Sequence, residues 1–235
     1  MSGVVEELRE RLAAAPGQGP GQVAPRELLP VRAPLDTLLP GGGLARGSVV
    51  SVEGSVWLAL ALAADASAAG SWCAVVGLPE LGPAAAAEIG VDLTRLVLVE
   101  SVSGQFATVV AALLDGVDLV LTTVPRDAKP AELRRLAARA RERRSTILAL
   151  GRWPEACDLT VRLTESRWLG LTADGYGRLT ERRCKVAATG RGAAARERRA
   201  AVSFPLHRVD PRRDPAARPA RSVQPARPAR PLRPA

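Results

Sequence analysis

Apolar residues follow two rhythms along this chain, and the change from one to the other divides it. Ser48–Glu53, Trp72–Gly77 (WCAVVG), Leu96–Glu100, Asp118–Thr123 and Ser145–Gly151 are short runs of strand length, apolar at nearly every position. Between them stand Val56–Ala69, Pro83–Ile89, Gln105–Asp115 and Lys129–Arg144, with apolar residues at helical spacing. Gly70, Gly90 and Gly116 close the first three. Strands without a polar face belong in a sheet covered on both sides, and regular strand–helix alternation predicts βαβ units. After Gly151 the helical stripes cease. Leu159–Leu163, Arg167–Leu171, Arg178–Ala188 and Arg199–Pro205 have strand character, with Gly175, Gly177, Gly190 and Gly192 supplying turns. The predicted class is α/β: a mostly parallel sheet flanked by helices, extended by antiparallel strands at its C-terminal end.

The flanks behave differently. In residues 1–15, Val4, Val5, Leu8 and Leu12 form the apolar side of a short amphipathic helix. At a length near the ~12–15 residues at which isolated helices are still marginal, it needs a surface to dock on. Residues 16–34 are assigned as a linker, opening with PGQGPGQVAP, and residues 35–207 as the core domain. In residues 208–235 the triplet PAR recurs at 219–221, 225–227 and 228–230, and this Pro/Ala/Arg tract has too little apolar surface to fold.

Composition sharpens this outline. The hydrophobic fraction of 47% supports a core, and the aromatic fraction of 3% means that Leu, Val and Ala must build it. The net charge of +9 is concentrated in the tail, where eight Arg stand against Asp210 and Asp214; the rest of the chain is only mildly basic. Three scattered cysteines without a CxxC pair suit a reducing cytoplasm. No signal peptide and no apolar run of membrane-spanning length is visible, so no membrane partner is expected. The single His207 has no acidic or thiol cluster around it, and no GxSxG, HExxH or paired-carboxylate motif occurs. Neither a metal nor an enzymatic activity is therefore expected.

Residues 35–65 (LDTLLPGGGLARGSVVSVEGSVWLALALAAD) have the layout of a phosphate-binding loop: an apolar strand, a glycine, then a helix. The motif GxxxxGK[ST] is not there. Gly54 runs into Ser55, Val56 and Trp57, and no Lys precedes Lys129. Gly54, Ser55 and Trp57 thus mark a degenerate nucleotide site, and Trp57 either fills the vacated phosphate volume or belongs to the helix–sheet core. The helix Lys129–Arg144 carries Arg134, Arg135 and Arg139 on its polar face. Together with Arg218, Arg221, Arg227 and Arg230 of the tail, these are candidate contacts for phosphate or an acidic partner. Trp168 is either a buried residue of the antiparallel extension or a candidate interface anchor.

The order and spacing of these elements resemble the core of bacterial RecA recombinases over about residues 35–205. The resemblance rests on LDTLLPGGGLARGSVVSVEG, on Cys73–Val76 followed by Glu88-Ile89-Gly90-Val91-Asp92, and on Val117–Leu121. More narrowly, PGGGLARGSVV, the missing phosphate lysine and Ser166–Leu171 (SRWLGL) resemble the ImuA-type (ImuA-prime) proteins of actinobacteria. Within that resemblance, the magnesium aspartate should end the Asp118–Thr123 strand, where Thr122 and Thr123 stand instead. Glu80 is in the neighbourhood of the catalytic glutamate. The two segments that would be DNA-binding loops, Val124–Lys129 and Arg152–Cys157, are short. ATP and magnesium binding are accordingly not expected.

The resemblance implies a non-catalytic accessory role in damage-induced, error-prone translesion DNA synthesis. The implied partners are an ImuB-type polymerase homologue directly and a DnaE-type polymerase indirectly, with DNA contact through the basic tail. The implied location is the cytoplasm, with nucleoid association on DNA damage. Two alternatives stand beside it: an SOS-type inhibitor of cell division, and a nucleic-acid-binding RecA-like protein with residual ATPase activity.

Overall fold

The computed structural model of the protein describes residues 27–102, 104–171, 176–204 and 207–208. The expected N-terminal helix, the linker up to residue 26 and the tail from residue 209, with Arg218, Arg221, Arg227 and Arg230, lie outside the described residues.

Among the described residues eleven strands and four α-helices follow in chain order. They are β1 (Leu28–Pro30), β2 (Gly43–Ala45), β3 (Val49–Glu53), α1 (Val56–Ala68), β4 (Cys73–Val76), α2 (Pro83–Ile89), β5 (Leu96–Val99) and α3 (Phe106–Leu114). After these come β6 (Leu119–Thr123), α4 (Pro130–Arg143), β7 (Thr146–Leu150), β8 (Leu159–Leu171), β9 (Gly177–Gly190), β10 (Arg198–Phe204) and β11 (His207–Arg208). Strands β3 to β11 form one sheet in the order β11-β10-β9-β8-β3-β7-β6-β4-β5. From β5 to β8 every neighbouring pair is parallel; β9, β10 and β11 add antiparallel. The expected α/β class, with its antiparallel extension, is what the chain adopts.

Period-two alternation splits each central strand between two cores. On the first face Val50 and Val52 of β3, Val75 of β4, Leu121 of β6 and Leu148 of β7 pack against α1 and α2. On the second face Val49, Ala74, Val76, Val120 and Ile147 pack against α3 and α4. Helix α1 has no polar face: every residue from Leu58 to Ala64 is buried. Such a helix needs cover on the side away from the sheet as well. Residues 28–44 provide it, bringing Leu29, Val31, Leu35, Leu38, Leu39 and Leu44 into the same core. An ion pair at 2.6 Å from Arg32 to Asp65 of α1 fixes this cover in place.

The cover includes a feature that the sequence pattern hid. Leu28–Pro30, placed within the predicted linker, pairs antiparallel with β2 through Leu28↔Ala45, Leu29↔Leu44 and Pro30↔Gly43. Gly43 is required there, because a Cβ would stand 2.6 Å from the Leu29 carbonyl oxygen. The two predicted strands Leu159–Leu163 and Arg167–Leu171 are one continuous strand, β8, whose register with β9 shifts between Leu163 and Glu165. The other central elements match their predicted spans within a residue or two. No helix among the described residues is long and apolar enough to cross a membrane.

Candidate functional site

In an open parallel sheet, ligands bind beyond the carboxyl ends of the strands, where successive connections leave on opposite faces. Here α1 and α2 lie on the first face, whereas α3, α4 and the connection after β7 lie on the second. The connections therefore diverge at β3/β7, at β4/β6 and at β4/β5. The residues at these ends are Glu53, Gly54 and Ser55 after β3, Gly77 after β4, Thr122 and Thr123 of β6, and Gly151 after β7.

This position is closed by its own chain. Only Gly54 and Ser55 separate β3 from α1, too few to wrap a phosphate. Gly54 holds φ +91°, and a Cβ on it would lie 3.1 Å from Cβ of Leu163, so the turn is seated against β8. Ser55 is the N-cap of α1: its hydroxyl accepts a hydrogen bond from the Leu58 N–H at 3.3 Å. The helix terminus that would face a phosphate is thus capped internally, with one of its free N–H groups already bonded.

The β6 hydroxyls are engaged too. Thr122 is fully buried and lies 3.2 Å from the Val76 carbonyl and 3.1 Å from that of Thr123. Thr123 donates to the Gly77 carbonyl at 3.1 Å. Where a magnesium site needs an ionised oxygen, β6 offers hydroxyls that tie it to β4. The carboxylate at the end of β3, Glu53, is paired with Arg162 at 3.5 Å, and Glu80 sits exposed in a loop.

Trp57 has a core-packing role. It is a half-buried member of the first-face core, and its ring meets Phe204 of β10 edge-to-face at 5.5 Å and 76°. It joins the start of α1 to the antiparallel extension.

The segments considered as DNA loops are compact. Residues 151–158 fold back over the second face, where the buried Trp153 donates its backbone N–H to Ser51 Oγ at 2.9 Å. Asp158 brackets Val49, accepting from its N–H at 2.9 Å and donating its own N–H to the Val49 carbonyl. A pocket of about 340 Å³ remains between this segment and β3, β8 and β9, lined by Ser51, Glu53, Cys157, Thr160 and Thr189 among others. Cys157 Sγ lies 3.4 Å from Thr160 Oγ1, and no imidazole is among the described residues that line the pocket. Among the described residues no group of acidic, thiol or imidazole side chains could hold a metal.

The basic face of α4 is largely occupied. Arg139 forks onto Asp115, a contact that holds its guanidinium above its ordinary pKa, and Arg143 reaches the same carboxylate at 3.1 Å. Arg134 pairs with Glu155 at 3.3 Å, and Arg144 with Glu27 at 3.2 Å. Exposed pairs of this kind contribute only ~0–1 kcal/mol each, but they reduce the charge the helix shows to a partner. Arg135 remains exposed and outside these pairs. Trp168, in contrast, stands 55% exposed on β8, with the Arg182 guanidinium 5.4 Å from its ring. Two positions that the sequence did not mark are structural clamps. Asp118 accepts from Arg46 at 2.5 Å and from the Trp72 N–H at 2.8 Å, and Asp158 acts as described above.

The cysteines permit a direct check of this packing. Cys73 and Cys184 are buried, and burial raises both thiol pKa values, that of Cys73 to about 12. Cys157 is partly exposed. Thiolate, not thiol, reacts with disulfide reagents. At pH 8 the folded protein should therefore show one fast-reacting thiol, and Cys157→Ser should remove it; full reactivity should appear only in denaturant.

Fold and site together define a parallel-sheet α/β protein whose β3–α1 turn is closed on itself. The chain belongs to the MT3502 N-terminal domain family, whose model matches residues 37–155. An uncharacterized protein of Mycobacterium tuberculosis (strain ATCC 25618 / H37Rv), Rv3395c, is 33% identical to it over 163 residues. That alignment covers 66% of this chain and 80% of the relative.

Proposed function

We propose that this chain is a RecA-like accessory protein of the ImuA type, acting without ATP as a scaffold in damage-induced, error-prone translesion DNA synthesis. Its direct partner in this reading is an ImuB-type polymerase homologue, through which a DnaE-type polymerase is engaged. The observation that carries the non-catalytic part is the two-residue β3–α1 turn, with Ser55 bonded to Leu58 and the β6 hydroxyls bonded within the sheet. A core so arranged keeps surfaces for binding and has lost the groups that would orient a triphosphate. The assignment to translesion synthesis rests on the resemblance over residues 35–205, with which an actinobacterial relative is in keeping. Scaffold function needs sites for partners, and Trp168 with Arg182 supplies an exposed pair of the residue types that dominate interface energetics.

The test is affinity purification of the chain from cells exposed to a DNA-damaging agent, with the bound proteins identified. Recovery of the polymerase homologue supports the reading. Failure to recover either polymerase, with cell filamentation on expression and no effect on induced mutagenesis, favours a cell-division inhibitor instead.

A further inference from the structure

The distal part of the β8–β9 hairpin extends beyond what the sheet needs. Among the described residues β3 pairs with β8 as far as Glu53↔Arg162, and β10 with β9 as far as Phe204↔Arg182. Past these points residues 164–168, Gly170 and residues 176–180 are exposed. An arm that served stability alone would carry small or polar residues there. This one presents Trp168, Tyr176 and Leu179, with Tyr176 77% exposed, in a chain with an aromatic fraction of 3%.

Its charges are also unbalanced. Among the described arm residues Arg162, Arg167, Arg178, Arg182, Arg183 and Lys185 stand against Glu165 and Glu181. Both carboxylates are already paired, Glu165 with Lys185 at 2.8 Å and Glu181 with Arg183 at 3.1 Å, and Arg162 is held by Glu53 of β3 at 3.5 Å, so the charges left over are those of Arg167, Arg178 and Arg182. Arg167 lies directly opposite Arg183 across the strands, and the carboxylate there, Glu181, is taken by Arg183. Trp168 lies directly opposite Arg182, whose Nε donates to Ser166 Oγ at 2.8 Å and whose guanidinium is thereby held beside the indole.

We propose that the distal β8–β9 arm is a contact surface for single-stranded nucleic acid, with Trp168 stacking on a base and Arg167 and Arg178 neutralising phosphates. Excess positive charge calls for a polyanion, and an exposed indole with an adjoining guanidinium calls for flat, unstacked rings. A single strand supplies both, whereas a duplex keeps its bases stacked. Trp168 and Arg167 project to opposite faces, as neighbours on a strand do. Beyond Arg162 the outer edge of β8 is unpaired among the described residues, so a strand following that edge reaches both faces.

The experiment is fluorescence anisotropy of a labelled oligothymidylate of about 20 nucleotides with the full chain, across a salt series. It is repeated with Trp168→Ala, with the double variant Arg167→Gln/Arg178→Gln, and with an abasic phosphodiester strand of equal length. Thermal unfolding serves as a control, since these side chains lie on the arm. Trp168→Ala should weaken binding about tenfold at an unchanged salt slope. The double variant should reduce the slope of log K against log salt by about 1.4, or ~0.7 for each phosphate no longer neutralised. The abasic strand should bind the wild-type chain about as weakly as oligothymidylate binds Trp168→Ala. Equal affinity of Trp168→Ala and wild type for oligothymidylate would overturn the proposal. So would equal binding of the abasic strand, or displacement of the oligonucleotide by polyglutamate at matched charge, which would mark a site for an acidic protein segment.

Discussion

Gly54→Val should lower the free energy of unfolding by about 3 kcal/mol, with no change in any nucleotide response. Gly54 sits at φ +91°, a conformation costly for a residue with a side chain, by ~1–3 kcal/mol. Its absent Cβ would meet Cβ of Leu163 at 3.1 Å, and two further methyl groups would press on β8 at a cost of ~1–3 kcal/mol. The denaturant midpoint should fall at nearly constant m-value, and Tm should drop by roughly 6–12 °C. Gly54→Ala, which adds strain and a single methyl, should fall between the two. A glycine kept for close approach to a phosphate would behave otherwise: its replacement would cost ligand affinity and leave the free protein's stability near that of the wild type.

Phe204→Ala should cost about 3–4 kcal/mol. The ring is 6% exposed, belongs to the first-face core and meets Trp57 edge-to-face. Removing a buried Phe side chain forfeits transfer energy and leaves a cavity between α1 and β10, for a typical loss of ~3–5 kcal/mol. The sharper measurement is the double-mutant cycle of Trp57→Ala with Phe204→Ala by urea denaturation. The expected coupling is ~0.5–1.5 kcal/mol, the range for aromatic pairs beyond their burial. A coupling near zero would mean that Trp57 is not bound to the extension and would return it to the role of filling the phosphate volume.

The frame of this molecule was legible because its strands and helices are strongly periodic and glycines close the helices. WCAVVG could be only a strand buried on both faces, and PAELRRLAARARER only a helix with one apolar stripe. The α1 sequence also announced that it would be covered on every side, yet nothing local named the cover. Leu28–Pro30 is three residues long, ends in a proline, and becomes a strand only because β2 pairs with it and α1 needs a lid. The break assumed between residues 163 and 167 failed for a related reason. Thr164, Glu165 and Ser166 are polar, but on an arm exposed to solvent polarity does not argue against a strand.

At the candidate site, absences were legible and destinations were not. The missing lysine and the shortened turn stand in the sequence itself. That the Thr122 hydroxyl would face the Val76 carbonyl depends on β4 and β6 being neighbours, a pairing between residues 46 positions apart. The arginines of α4 looked free because their partners, Asp115, Glu155 and Glu27, come from other elements. The charges that remain unbalanced lie on the β8–β9 arm instead, and the alternation of strand residues could show this only once the β8–β9 register was known.

These features converge on a core whose β3–α1 turn is a structural joint between α1, β8 and β10. The most direct test of that claim is an equilibrium titration of the purified full-length chain with fluorescent ATP in the presence of magnesium, followed by anisotropy, with thermal unfolding monitored at millimolar ATP. The account predicts no saturable binding below the millimolar range and no measurable rise in Tm. Saturable binding at micromolar ATP, which at millimolar ligand would raise stability by about 4 kcal/mol, would contradict it.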